Sequence, residues 1–242
     1  MSFYKLSILI PVYNEAAYLL EILNRIEAVK IPIDREIILI ESGSIDGSTE
    51  MVRRLSKERG YKAIFEDRPT GKGSAIIKGF QQVTGTIILI QDADLEYDPR
   101  DYPELLAPIL KGKTKFVLGS RHSGAKTWKI RKFDDSMWYA GLLNLGSIFF
   151  NILFFLLYQL KLSDPQTMYK VFHRDCMHGI KWQSKRFDID WEIVCKLVRL
   201  GYIPIEVPVS YCGRSIAEGK KIKIWPDAWL ALAAIIRFRF FS

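Results

Sequence analysis

Short apolar runs rich in β-branched residues alternate with amphipathic stretches through the first 120 residues of this chain. The runs Leu6–Pro11, Glu36–Glu41, Lys62–Phe65, Thr86–Gln91 and Phe116–Gly119 have the length and composition of buried strands. Between them, the segments Ala16–Ala28, Ser48–Arg59, Gly73–Val83 and Pro99–Leu110 space their apolar residues at the helical period. Such alternation predicts βαβ units, hence an α/β fold with a Rossmann-like, mostly parallel central sheet flanked by helices. Ligands of such sheets gather outside the carboxyl ends of the strands, so the residues that follow each strand carry the most functional information.

The fourth strand stops at Gln91-Asp92-Ala93-Asp94-Leu95-Glu96, which delivers two carboxylates one residue apart to that edge. Hard divalent cations and the diphosphates they carry suit such oxygen ligands. An acidic turn ahead of the helix start at Asp98-Pro99 would account for the same residues without a ligand. The first strand exits into Pro11-Val12-Tyr13-Asn14-Glu15, which offers an aromatic face, an amide and a carboxylate. The second exits into Glu41-Ser42-Gly43-Ser44-Ile45-Asp46-Gly47-Ser48, where glycines permit close backbone approach and carboxylates can accept from ribose hydroxyls or a base. Asp46 and Ser48 serve equally well as helix N-caps. Thr70-Gly71-Lys72-Gly73-Ser74 opens a helix, so its amides and Lys72 are placed to face a phosphate. This loop matches neither the phosphate-binding loop nor the dinucleotide fingerprint, which argues against a kinase or a dehydrogenase.

Composition narrows the class. With 242 residues, 49% of them hydrophobic, the chain is globular and can bury a large core. A net charge of +8 and a pI near 9.3 call for an anionic partner: a nucleotide, a phospholipid surface or nucleic acid. No nucleic-acid-binding module is recognisable, so nucleic acid is set aside. Cys176, Cys195 and Cys212 match no zinc spacing and read as reduced packing residues of a cytosolic protein. The start Met1-Ser-Phe-Tyr-Lys lacks the pattern of a signal peptide. Residues 136–160 carry no charge over a span sufficient for a bilayer. A single crossing there would separate the later acidic and basic segments from Asp92 and Asp94, so helices lying at the membrane interface are expected instead. The run Trp225–Phe241, which mixes aromatics with Arg237 and Arg239, suits an anionic membrane surface or a helix packed on the core. With the chain ending there, peripheral attachment is the expectation.

Taken in order, Pro11-Val12-Tyr13-Asn14-Glu15, Asp46-Gly47-Ser48, Gly71-Lys72-Gly73, Asp92-Ala93-Asp94 and Gly119-Ser120-Arg121 resemble the family-2 glycosyltransferases of GT-A fold. The chain is most similar to the polyprenyl-phosphate sugar transferases, the group typified by dolichyl-phosphate mannose synthase. Later segments match as well: Asp164-Pro165-Gln166-Thr167-Met168-Tyr169-Lys170, Phe187-Asp188-Ile189-Asp190-Trp191-Glu192 and Glu206-Val207-Pro208-Val209. The resemblance implies one GT-A catalytic domain over 1–242, with C-terminal interfacial helices. Its nucleotide-sugar and metal half would be 1–121, its acceptor half 122–212, and its acceptor loop and amphipathic membrane helix 213–242.

The resemblance also assigns roles. Pro11, Tyr13, Glu15, Glu41, Ser42, Lys72, Asp92 and Ala93 would bind the UDP- or GDP-linked sugar. Asp92, Asp94 and Glu96 would hold a magnesium or manganese ion (Mg2+ or Mn2+) against the donor diphosphate. Family members often have two aspartates where this chain has Glu41-Ser42, and often glutamine in place of Glu96. The acceptor would be a polyprenyl (undecaprenyl or dolichyl) phosphate, met at the cytoplasmic membrane face and glycosylated with inversion. A phosphate monoester is already an anion, so it needs cations more than a base. Arg121, Arg131, Lys132, Arg214, Lys220 and Lys221 supply the cluster. The alternative acceptor, a hydroxyl on a lipid, saccharide or protein, requires a carboxylate base, for which Asp188, Asp190 and Glu192 are available. On a helix Asp188 and Glu192 share a face. A sensor or scaffold without catalysis is a further alternative, against which Asp92, Asp94 and Arg121 all speak.

Overall fold

A computed structural model describes residues 4–122, 137–214 and 224–241. Seven strands form one sheet: β1 (Lys5–Val12), β2 (Asp34–Glu41), β3 (Lys62–Phe65), β4 (Ile87–Ile90), β5 (Phe116–Ser120), β6 (Lys170–His173) and β7 (Ile205–Pro208). They lie in the order β3-β2-β1-β4-β6-β5-β7. All neighbours are parallel except β6, which runs antiparallel to both β4 and β5. The chain therefore winds outward from β1 in one direction to β3, then restarts on the other side with β4. The point of reversal, between β1 and β4, opens a crevice at their carboxyl ends.

The β1–β5 strands and their helices follow the expected pattern, with ends shifted by a residue or two. α1 (Ala16–Ala28) and α2 (Ser48–Arg59) have the predicted limits, and α3 (Lys72–Phe80) stops short of Val83. Residues 99–110 divide into a 3₁₀ turn at Pro99–Asp101 and α4 (Tyr102–Leu110). β4 and the middles of β1 and β2, Ile8–Ile10 and Ile37–Ile40, are apolar and buried on both faces, as a central parallel sheet covered by helices requires. β6 and β7 are additions the apolar pattern does not reveal. Each has four residues, and β6 carries Lys170 and His173, so neither stands out as a strand.

Three helices pack beyond the sheet: α5 (Met137–Tyr158), α6 (Ile189–Arg199) and α7 (Ile224–Phe240). Phe154 of α5 stacks on Tyr158 and approaches Trp191 of α6, with ring centroids 4.5 and 5.9 Å away. Tyr158 donates its hydroxyl to the Ile235 carbonyl of α7 at 3.0 Å. Phe150, Phe154 and Tyr158 thus turn inward one helical turn apart. Leu145, Phe149, Ile152, Phe155 and Leu156, on the other side of α5, are exposed. α7 is divided in the same way, with Ile235 and Phe238 buried and Trp229 and Phe240 exposed, as is Phe241 just beyond it. Among the described residues no helix is long and apolar enough to cross a membrane. Cys176 and Cys195 are buried as expected, whereas Cys212 is exposed and is not a packing residue.

Candidate active site

A cavity of about 570 Å³ occupies the crevice between β1 and β4 and continues between α5, α6 and α7. Pro11, Tyr13, Glu15, Ser42, Lys72, Asp92, Ala93, Asp94, Glu96, Arg121, Asp190 and Arg214 all line it. These twelve, up to 203 positions apart in sequence, converge at the edge to which the sheet delivers its carboxyl ends. Arg131, Lys132, Lys220 and Lys221 lie outside the described residues.

Two loops interlock to form one wall. The Asn14 amide donates to Ser44 Oγ, Ile45 donates to Asn14 Oδ1, and the Glu15 amide donates to Ser48 Oγ. Asp46 accepts from the first amide of α1, that of Ala16, and from Ser48. The second turn is thereby spent on holding the first. Asp46 caps a neighbouring helix rather than offering its carboxylate to a ligand. Glu41, expected at the nucleotide, is only 1% exposed and does not line the cavity. Its oxygens accept from the amides of Gly43 and Ser44, folding the side chain under its own loop.

The Gly71–Ser74 turn also differs from its expected use. Gly71 has φ 102°, and a Cβ on Gly73 would stand 2.7 Å from the Ser184 carbonyl oxygen. Both glycines let the start of α3 pack against residues 184–186, and the Ser74 amide donates to the Lys185 carbonyl. That amide therefore does not face a phosphate. The Lys72 side chain does reach the cavity, with Nζ 3.0 Å from Asp92 Oδ1 and 3.8 Å from Asp190 Oδ2. Burial opposes its charge, but Asp92 and Asp190 outweigh this and raise the Lys72 pKa.

The acidic centre lies beside this lysine. Arg214 places Nη1 3.0 Å from Glu15 Oε2 and Nη2 2.6 Å from Asp94 Oδ2, while its backbone N–H donates to Glu96 Oε1. Tyr211 donates its hydroxyl to the other Glu96 oxygen at 2.9 Å. Asp190 contacts a second cation, Lys170 Nζ, at 2.9 Å. Among the described residues Glu15, Asp92, Asp94, Glu96 and Asp190 are paired with Lys72, Lys170 and Arg214. Burial pushes the Asp94 carboxyl up to about 7, helped by Asp92 and Glu96 and opposed by Arg214. Burial likewise raises Asp92, against the pull of Lys72. Hard carboxylate oxygens gathered at one point, already holding a cation in the Arg214 guanidinium, fit a magnesium or manganese ion. As they stand, no three acidic or other ligating side chains among the described residues are grouped closely enough to hold one.

Arg121 is buried and bonded at two points to Asp164, at 2.7 Å each, and its backbone N–H donates to the same carboxylate. Burial works against both charges, yet Asp164 raises Arg121 and Arg121 lowers Asp164. Glu206 in turn accepts from the amides of Ser163 and Asp164. Asp164, Lys170 and Glu206 were visible in the later motif segments, but nothing in their spacing announces that they orient Arg121 and Asp190.

The three carboxylates at the start of α6 separate. Asp188 accepts from the Arg186 amide and ends the preceding turn, while Asp190 faces the cavity. Glu192, expected as a catalytic carboxylate, points away from the cavity with 0% exposure. It accepts from the amides of Gln183 and Ser184 and from Lys196 Nζ at 2.6 Å. The reason is helical geometry: Asp190 and Glu192 are two residues apart, which sets them on different faces.

The arrangement defines an α/β domain with an acidic crevice at the switch point of its sheet. The solved glucosyl-3-phosphoglycerate synthase of Mycobacterium tuberculosis, in complex with Mn2+, UDP and phosphoglyceric acid, shares this fold with a TM-score of 0.72. The match covers 99% of this chain and 80% of that one at 16% identity. Residues 7–179 match the model of glycosyl transferase family 2, and the chain belongs to that family. Dolichol-phosphate mannosyltransferase of Pyrococcus furiosus is 27% identical over 221 residues, 90% of this chain. The undecaprenyl-phosphate 4-deoxy-4-formamido-L-arabinose transferase of Klebsiella pneumoniae is 40% identical over 112 residues, 45% of this chain. The chain spans 60% of the length of the first relative and 34% of the second.

Proposed function

We propose that this protein transfers a sugar from a nucleotide diphosphate sugar to a polyprenyl phosphate, with inversion, at the cytoplasmic face of a membrane. The observation that carries this reading is the continuity of one cavity. Its polar end holds Lys72, Asp92, Asp94 and Arg214, and its other end runs between α5 and α7 past Gly146, Phe150, Ala228 and Ala231. An amphiphile with an anionic head and an apolar tail matches that change of lining. The names of the Pyrococcus and Klebsiella relatives point to the same acceptor class.

Asp92, Asp94 and Glu96 would hold the magnesium or manganese ion, which neutralises charge developing on the leaving nucleoside diphosphate. An acceptor phosphate oxygen attacks the anomeric carbon as the bond to the diphosphate oxygen breaks, so the configuration inverts. Pro11, Tyr13 and Ser42 flank the nucleotide end. Arg121, fixed by Asp164, positions the attacking phosphate. The committed carboxylates favour this acceptor over a hydroxyl. Asp190 lies between Lys170 and Lys72, Glu192 points away from the cavity, and Asp188 caps a turn. The exposed apolar faces of α5 and α7 supply a surface for peripheral contact with the lipid.

The test is to incubate the purified protein with Mn2+ or Mg2+, undecaprenyl phosphate and a panel of radiolabelled UDP- and GDP-sugars. Label extracted into organic solvent and lost in Asp94→Ala supports the proposal and names the donor. Donor turnover without labelled lipid overturns the polyprenyl-phosphate acceptor.

A further inference from the structure

Arg214 occupies the centre that a donor-bound cation would need. Its guanidinium contacts Glu15 at 3.0 and 3.2 Å and Asp94 at 2.6 Å, with Nε 3.8 Å from Glu96. The backbone on either side is stitched to the loop that carries these acids. Tyr211 pairs with Tyr97 in an isolated β-bridge, the Cys212 amide donates to the Glu96 carbonyl, and the Arg214 amide donates to Glu96 Oε1. The fork is not fully satisfied, however. Arg214 Nε is buried with no hydrogen-bond partner, although Nη1 and Nη2 are both engaged. A buried charged donor without an acceptor is costly, and a group in that condition gains by meeting new oxygens.

We propose that Arg214 is a built-in counter-cation that excludes free divalent metal and yields only to metal and diphosphate together. The inference rests on the donor-site reading above. Asp94, Glu15 and Glu96 cannot give the same oxygens to a guanidinium and to an ion. Free metal must break the Arg214 contacts and leave the guanidinium without its carboxylates. When a nucleoside diphosphate arrives as well, its phosphoryl oxygens receive the displaced fork, to which their geometry is suited. Metal and nucleotide then exchange partners with Arg214 in one step, and each strengthens the binding of the other by the same factor. Such an arrangement keeps Glu15, Asp94 and Glu96 paired with a cation between turnovers and prevents the site from filling with metal alone.

The test is to titrate Mn2+ into the full chain, counting free ion by electron paramagnetic resonance, alone and with saturating UDP or GDP. Wild-type protein is expected to bind Mn2+ at least about tenfold more tightly with the nucleotide than without it, within the range usual for coupled sites. Arg214→Gln is expected to bind Mn2+ alone about tenfold more tightly than wild type, while its affinity for the nucleotide in the presence of Mn2+ falls. These opposite signs are not produced by a general loss of structure. Arg214→Lys, which keeps the charge but not the fork, provides the same comparison with a smaller shift and serves if the glutamine variant does not fold. If wild type binds Mn2+ with nucleotide but Arg214→Gln leaves the affinity for Mn2+ alone unchanged or weaker, the counter-cation role is overturned and the donor site stands. If neither UDP nor GDP binds wild type with Mn2+, the donor-site reading falls and this proposal with it.

Discussion

Asp190 and Glu192 lie two positions apart on α6 and have opposite situations, one in the cavity between two lysines and one sealed beneath residues 183–184. Replacing Glu192 by Gln should lower stability by about 2 kcal/mol, because Lys196 loses its buried charge partner. At a temperature where the variant is folded, kcat and KM should stay within about twofold of wild type. Asp190→Asn should instead reduce kcat, since Lys72 and Lys170 lose the carboxylate that positions them. Steady-state kinetics alongside denaturant melts separate the two. Asp164 tests a different dependence. In Asp164→Ala the Arg121 guanidinium stays buried without its partner, and urea unfolding should show a loss of about 3–5 kcal/mol. Both acids at α6 were legible as candidates, but which of them faced the cavity was decided by the helix phase relative to the sheet.

At the scale of elements, α5 has two apolar faces and one set of partners. Phe150 and Phe154 meet Trp191 of α6, leaving Leu145, Phe149, Ile152 and Phe155 uncovered one turn apart. Partial insertion of each exposed side chain into lipid is worth about 1–2 kcal/mol. Phe149→Asp with Ile152→Asp should therefore lower partitioning onto anionic vesicles by at least about a hundredfold in sedimentation assays. The melting temperature should remain unchanged, because neither residue packs inside. Equal partitioning by the variant would place the membrane surface elsewhere. The uncharged stretch of 136–160 was visible in sequence, whereas its division into inner and outer faces depends on α6 and α7 arriving from later in the chain. β6 and β7 stayed hidden for a related reason. Four-residue strands gain their identity from the neighbours they pair with, and β6 inserts between β4 and β5 from about 50 residues beyond β5.

Across the whole molecule, Glu36 joins the ends of three chain segments opposite the site. It accepts from Ser7 Oγ, the Thr84 and Gly85 amides and Thr84 Oγ1, and it pairs with Lys5 and Lys62. Burial opposes its charge, but Ser7, Thr84 and Lys62 hold the carboxyl well below its usual range. The folded protein thus binds this proton more weakly than the unfolded chain does. The stabilisation is complete above the unfolded pKa of about 4.3 and is lost as pH falls from there toward the folded value. Glu36→Gln should cost about 2 kcal/mol at pH 7, roughly 4–8 °C in Tm, and the gap to wild type should narrow below about pH 4 in thermal melts. The sequence by itself determined the βαβ alternation, the family and the strand-end residues at the polar end of the cavity, because apolar period and strand-end chemistry are local properties. Only the tertiary structure decided that Glu41, Asp46 and Glu192 serve the framework, that Asp164 holds Arg121, and that Arg214 sits among Glu15, Asp94 and Glu96. Those assignments follow from which chain segments meet at the sheet edge, and no local pattern of residues encodes that meeting.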